Sequence, residues 1–227
     1  HQYYAKVYVA LNTILTDEEL EQAEKIIHQL YNIGTDALII QDMGITQLNL
    51  PPIALHASTQ MDNRSVDKVQ FLENIGFEQV VLARELSLDQ IREIHSKTNV
   101  KLEGFVHGAL CVSYSGQCYL SQSVCGRSAN RGVCAQLCRL PYSLQDAQGN
   151  ILIKDKYLLS LKDFNLSNYL EELIDAGISS LKIEGRLKDI SYVKNVTAYY
   201  RQKLDNILEN NKNYTKASSG QCEFYFI

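Results

Sequence analysis

The chain has 227 residues, a formal net charge of -4, and 45% hydrophobic against 21% charged residues, ordinary values for one large globular α/β domain. No run of eighteen apolar residues occurs, so no segment reads as a membrane-spanning helix. The acidic balance offers no global argument for nucleic-acid binding, and the opening HQYYAKVYVALNTIL lacks the basic region and small-residue cleavage site of a signal peptide.

In chain order, apolar runs alternate with amphipathic ones. KVYVALN (6–12) reads as a buried strand. Thr16 then caps a helix, with Glu19 three residues on completing a capping box and Gly34 as its stop. DALIIQD (36–42) is the second strand, and IALHAST (53–59), after the Pro51-Pro52 turn, is the third. A helix over 66–74 ends at Gly76, QVVLARE (79–85) is the fourth strand, and Ser87 caps the next helix. VKLEGFVHG (100–108) is the fifth strand. Residues 109–141 show no clean period and read as a long loop, a length that inside a domain usually carries function. A hairpin turning at DAQGN follows, then a short strand at YLLSLKD (157–163) and a helix over 167–177. SSLKIEGR (179–186) is a further strand and 189–210 the last long helix. Residues 211–227 read as a linker and the start of a further β element.

Strand–helix–strand repetition with short connections implies parallel strands and right-handed crossovers. Six core strands and the short one are counted, where a closed (β/α)8 barrel needs eight. The expectation for residues 1–210 is therefore a TIM-type barrel truncated by its first two strands and carrying a Cys-rich loop. An open doubly wound sheet is the alternative. The chain begins at His1 and ends in FYFI, so both ends look cut.

Five of the six cysteines, Cys111, Cys118, Cys125, Cys134 and Cys138, lie in that one loop. Clustered thiolates are soft ligands that hold zinc or iron–sulfur clusters. The loop also carries Arg127, Arg131 and Arg139 and no acidic residue, a setting that favours the thiolate and offers a local patch for RNA phosphates. A chain this rich in buried-looking strands does not need disulfides, and the reading is a metal site in a cytoplasmic protein.

The carboxyl ends of the strands, where parallel α/β folds hold ligands, carry Asn12, Gln41, Asp42, His56, Ser58, Gln60, Arg84, Glu85, His107, Lys162 and Asp163. Lys182, Glu184 and Arg186 alternate on one strand and should share a face, while Leu181 and Ile183 meet the helices. Any one of these residues could equally be a helix cap or ion-pair partner; their recurrence on successive strands favours a site. His56 and His107 are the candidate acid/base groups, with Arg84, Lys182 and Glu184 beside them. No HExxH, GxSxG, GxGxxG or Walker pattern is present.

The stretch from Glu103 to Ser121 resembles the peptidase U32 family: Glu103, Phe105, the HGALC of His107 to Cys111, Ser115-Gly116, Cys118 and Leu120-Ser121. ANRGVCAQLCRLPY, LLSLKD, SLKIEGRLKDISYVKNV, HASTQM and LARELS are also similar to this family, in its branch that hydroxylates a cytidine of 23S ribosomal RNA. The resemblance implies a (β/α)8 barrel whose first two strands are absent here. It also implies a [4Fe–4S] cluster on four cysteines, an RNA substrate and prephenate as oxygen source. By position, Cys111, Cys118 and Cys134 match cluster ligands. Asn165 stands where several members have the cysteine of KDLCL, leaving Cys138 as the fourth ligand with Cys125 in reserve, and Cys222 outside the set. Two other readings stay open: a collagenase-like peptidase, as older usage of the family name suggests, and a zinc-stabilised RNA-binding scaffold.

Overall fold

The computed structural model describes residues 5–210. The expected linker and β element of 211–227, and Cys222 with them, lie outside the described residues.

Six parallel strands, β1 (Tyr8–Leu11), β2 (Ala37–Ile40), β3 (Ala54–Ala57), β4 (Gln79–Val81), β5 (Lys101–Gly108) and β9 (Ile178–Ile183), form one sheet in that spatial order. Their helices are α1 (Asp17–Asn32), α2 (Val66–Asn74), α3 (Leu88–Lys97), α5 (Leu170–Asp175) and α6 (Ile190–Asn210); α4 (Leu120–Cys125) is a short helix within the Cys-rich loop. The helix starts follow local chemistry. The Thr16 side chain accepts from the Glu19 N–H while Glu19 accepts from the Thr16 N–H, and Ser87 and Gln90 repeat that capping box at α3. Past the ends of α1 and α2, Gly34 and Gly76 take left-handed φ of 87° and 100°, which stops each helix where the sequence places the stop.

The core lies between sheet and helices. Leu38, Ile40, Val80, Leu102 and Val106 of the strands meet Ile27, Val69, Leu72, Ile94 and Leu170 of the helices, all buried. Continuous apolar strands such as ALII of β2 suit a parallel sheet whose helix-facing side is dry. The link from β2 to β3 holds no α-helix. A 3₁₀ turn at Met43–Gln47 fills it, its start fixed by the Asp42 carboxylate, which accepts from the N–H groups of Gly44 (2.7 Å) and Leu15 (2.8 Å).

The expected incomplete barrel is seen in part: six parallel strands among the described residues form a curled, open half-barrel, two strands short of a closed (β/α)8 barrel. One expectation changes. Residues 157–163 are not a strand: Tyr157 and Leu158 stay exposed, and tight turns (Ser160 N–H to Tyr157 carbonyl, 3.2 Å) occupy the backbone. The strand there is the two-residue β8 (Phe164–Asn165), antiparallel to the end of β5. The hairpin forms as expected from β6 (Tyr142–Gln145) and β7 (Ile151–Lys156), with Asp146 accepting from the Gln148 and Asn150 N–H groups across the turn.

Candidate functional site

Glu103 on β5 is a buried carboxylate, a costly thing unless fully paired. Its neighbours on the adjacent strands supply that pairing. Gln79 of β4 donates to Oε2 at 2.6 Å, and on β9 Ser180 donates to Oε2 at 2.7 Å while Lys182 Nζ binds Oε1 at 2.7 Å. Two residues on, Phe105 offers its ring to two cations, the Arg84 guanidinium at 4.2 Å and Lys182 Nζ at 5.5 Å. Lys182 is thus shared between an acid and a ring. Arg84 stacks on the ring, and its buried Nε has no hydrogen-bond partner among the described residues; burial pulls its pKa down from the usual guanidinium value, with Cys111, Glu184 and Glu85 opposing.

Of the trio expected to alternate on one strand, only Lys182 does so, since β9 stops at Ile183. The chain then turns: Glu184 donates its N–H to the His107 carbonyl (2.8 Å), and its Oε1 accepts from the Arg186 N–H (2.9 Å). His107, at the end of β5, packs edge-on to Tyr200 of α6 with ring centroids 5.5 Å apart. The Tyr200 hydroxyl donates to the Val106 carbonyl (2.8 Å) and lies 3.3 Å from His107 Nδ1; burial pushes its pKa up to about 12. Asn165, in the position of the family's KDLCL cysteine, is used as a turn cap, accepting from the Ser167 N–H at 3.0 Å, and touches Tyr200 at 3.2 Å. His56 on β3 stands in register with Gln79 and within electrostatic reach of Glu103 and Lys182. It is buried edge-on against Tyr8 at 4.7 Å, its Nδ1 has no partner among the described residues, and burial lowers its pKa, with Glu103 opposing.

Glu85, directly after Arg84, fastens the Cys-rich loop to the sheet. Its two oxygens accept from the Ser115 N–H (2.9 Å) and the Ser115 hydroxyl (3.0 Å). Next to it Gly116, at φ 72°, lies so close to the Gln60 backbone that a Cβ would overlap the Gln60 carbonyl oxygen. The Ser-Gly pair of the motif is therefore a docking point. The arginines brace the same loop. Arg131 pairs with Glu19 (2.7 Å) and donates to the Ile14 carbonyl (2.8 Å). Arg139 donates to the carbonyls of Leu110 (2.6 Å) and Leu161 (3.0 Å), and Arg127 to that of Val133 (3.0 Å). All three hold the loop in place, Arg131 with its charge met by Glu19.

The five loop cysteines are free thiols. Burial pushes the Cys138 thiol up, Arg139 opposes this, and Cys111, Cys134 and Cys118 add to the rise, so these three lie within electrostatic reach of Cys138. Cys125 donates to the Ser121 carbonyl at 3.2 Å. Among the described residues no three His, Cys, Asp or Glu side chains stand at metal-holding separation. As donors, four soft sulfurs on a loop with no acidic residue suit a thiolate-bound iron–sulfur group.

Between Arg84, Glu85, Cys111 and Leu161 lies a cleft of about 250 Å³ at the carboxyl edge of the sheet. Larger hollows of about 540 and 480 Å³ lie on the helix layer, beside Glu21 and His28 and beside Arg64 and Gln90, away from that edge.

The sequence profile of peptidase family U32 matches residues 1–224. The chain belongs to the peptidase U32 family. Among U32 relatives, the "23S rRNA 5-hydroxycytidine C2501 synthase" of Escherichia coli is 59% identical over 227 residues, 100% of this chain and 35% of that protein. The "tRNA hydroxylation protein P1" of Bacillus subtilis is 35% identical over 222 residues, 94% of this chain and 53% of that protein. A "Collagenase" of Porphyromonas gingivalis is 34% identical over 214 residues, 88% and 51% respectively. The chain thus spans between about a third and a half of these U32 proteins.

The sequence pointed to most of these positions but not to Gln79, Ser180 or Tyr200 as their partners. The first two were legible in principle, since Ser180 and Lys182 alternate on β9 and Gln79 opens β4. Tyr200, 93 residues from His107, carries no local signal.

Proposed function

We propose that this chain is the part of a U32 enzyme that hydroxylates a base of RNA, a cytidine of 23S ribosomal RNA, with a [4Fe–4S] cluster on Cys111, Cys118, Cys134 and Cys138. The observation that carries the reading is that Cys111, Cys118, Cys134 and Cys138 lie on one loop docked at the carboxyl edge of the sheet, where Cys111 lines the cleft beside Arg84. RNA-hydroxylating relatives at 59% and 35% identity support the reaction class. When bound, such a cluster supplies one-electron transfer or an iron site for a substrate oxygen.

The chain's own residues do the rest. Ser115, Gly116 and Arg139 fix the loop that bears the cysteines. Glu103 holds the Lys182 ammonium over Phe105, on the ring that Arg84 also covers. Tyr200 orients the His107 ring, which can hold or release a proton at Nε2 while Nδ1 faces the hydroxyl. Arg127, tied to main-chain carbonyls, displays positive charge to RNA phosphates, while the Arg131 charge is met by Glu19. Prephenate is the oxygen source in this reading, and an RNA substrate fits a cytoplasmic enzyme.

The peptidase name finds no matching machinery: among the described residues no histidine is hydrogen-bonded to a serine or cysteine, as an activated nucleophile requires. Mass spectrometry of 23S rRNA from cells lacking the gene tests the proposal. An oxygen-heavier cytidine should vanish, and return with the wild-type gene but not with Cys111→Ser. An unchanged rRNA digest would contradict it.

A further inference from the structure

Ser121, in the second position of α4, is neither a ligand nor a charge, yet it is only 2% exposed. A buried serine must place its polar atoms. Its carbonyl accepts from the Cys125 thiol (3.2 Å) and the Arg127 N–H (3.3 Å). Its hydroxyl accepts from the Ala135 N–H (3.0 Å) and donates to Cys134 Sγ, 3.9 Å away. The same sulfur accepts from the Gln136 N–H at 3.3 Å. Gln136 takes a left-handed φ of 56°, a strained conformation for a residue with a side chain. Arg127 holds the turn from the other side by donating to the Cys134 carbonyl (3.3 Å). Among the described residues, Cys111, Cys118 and Cys138 receive no hydrogen bond at sulfur; Cys134 receives two. A neutral thiol is a weak acceptor that repays such an arrangement poorly, whereas an anionic, metal-binding sulfur repays it well.

We propose that Ser121 is a positioning residue for the iron–sulfur group: together with the Gln136 N–H it holds the Cys134 sulfur as a hydrogen-bond acceptor and raises the reduction potential of the cluster bound there. The inference rests on the cluster reading for the group itself and adds what sets its potential. A reduced cluster carries one electron more than the oxidised one, and part of that charge lies on the cysteine sulfurs. Donors aimed at a sulfur therefore stabilise the reduced form more, and the potential moves upward.

Redox titration of the anaerobically purified protein tests it, with dithionite as reductant and the one-electron couple followed by electron paramagnetic resonance. Ser121→Ala should lower the midpoint, so that the reduced-to-oxidised ratio at the wild-type midpoint falls about tenfold, or about 59 mV. Ser121→Thr, which keeps the hydroxyl, should recover most of that ratio. Ser123→Ala, which removes an exposed hydroxyl from the same helix, should leave the midpoint where it is. If Ser121→Ala does not hold a cluster, wild type decides alone. Its resonance Raman bands for iron–cysteine stretching should then shift between H2O and D2O, as exchangeable protons on a ligand sulfur require. Bands that stay in place, or a fully loaded Ser121→Ala with the wild-type midpoint, would overturn the inference and leave Ser121 a staple of the loop. The cluster reading is judged separately, on iron and sulfide in wild type. Their absence refutes that reading and takes this inference with it; a wild-type cluster with an unmoved midpoint in Ser121→Ala overturns the role of Ser121 alone.

Discussion

Glu103 and Lys182 show how a residue type reveals its role only through its neighbours. A buried carboxylate with three donors is stable; the same carboxylate without its ammonium is a stranded charge. Lys182→Met should therefore cost about 3 kcal/mol of unfolding free energy, the usual penalty for breaking a buried pair. Urea unfolding checks this, and a change under 0.5 kcal/mol would mean that solvent, not Lys182, satisfies Glu103. His56 makes a second residue-scale claim. Burial holds its pKa below the ordinary 6.5, so the unfolded chain takes up the proton first. The stability that neutral His56 gives is whole above about pH 6.5 and is lost as pH falls toward the folded-state pKa. His56→Gln should flatten that part of the stability–pH curve; an unchanged slope between pH 7.5 and 5 would show that another group titrates there. From the sequence, Glu103, Lys182 and His56 could be named as residues. Which were paired could not be read, because the partners sit on strands 24 and 79 positions away.

At the scale of elements, helix starts and the hairpin turn were legible because a cap or a turn is a matter of three or four adjacent residues. The run YLLSLKD misled because its apolar residues suggest burial, while in the fold they stay at the surface next to the hairpin. The Cys-rich loop was legible as a loop, but not its attachment, which depends on Glu85 and Gln60 reaching Ser115 and Gly116. Gly116→Ala should lever this docking point away from Gln60. Limited proteolysis should then cut residues 109–141 several-fold faster, with the melting of the sheet and helices affected less. Equal cutting rates in the two proteins would show that the Ser-Gly turn does not anchor the loop.

In the whole molecule, six parallel strands and their helices build one curled wall. The Cys-rich loop docks at its carboxyl edge, where Cys111 lines a cleft with Arg84 and Glu85. Strand count and order could be inferred from the alternation of apolar runs. The path of the Cys-rich loop could not, since it is a 33-residue loop without a period. The central claim is that Cys111, Cys118, Cys134 and Cys138, and not Cys125, hold an iron–sulfur cluster. Iron, sulfide and zinc analysis of the anaerobically purified protein, with absorbance near about 400 nm, tests it most directly alongside single Cys→Ser variants. The account predicts about four iron and four sulfide per chain, lost in each of the four variants and kept in Cys125→Ser. A colourless zinc protein, or a cluster that survives Cys138→Ser and disappears with Cys125→Ser, would contradict it.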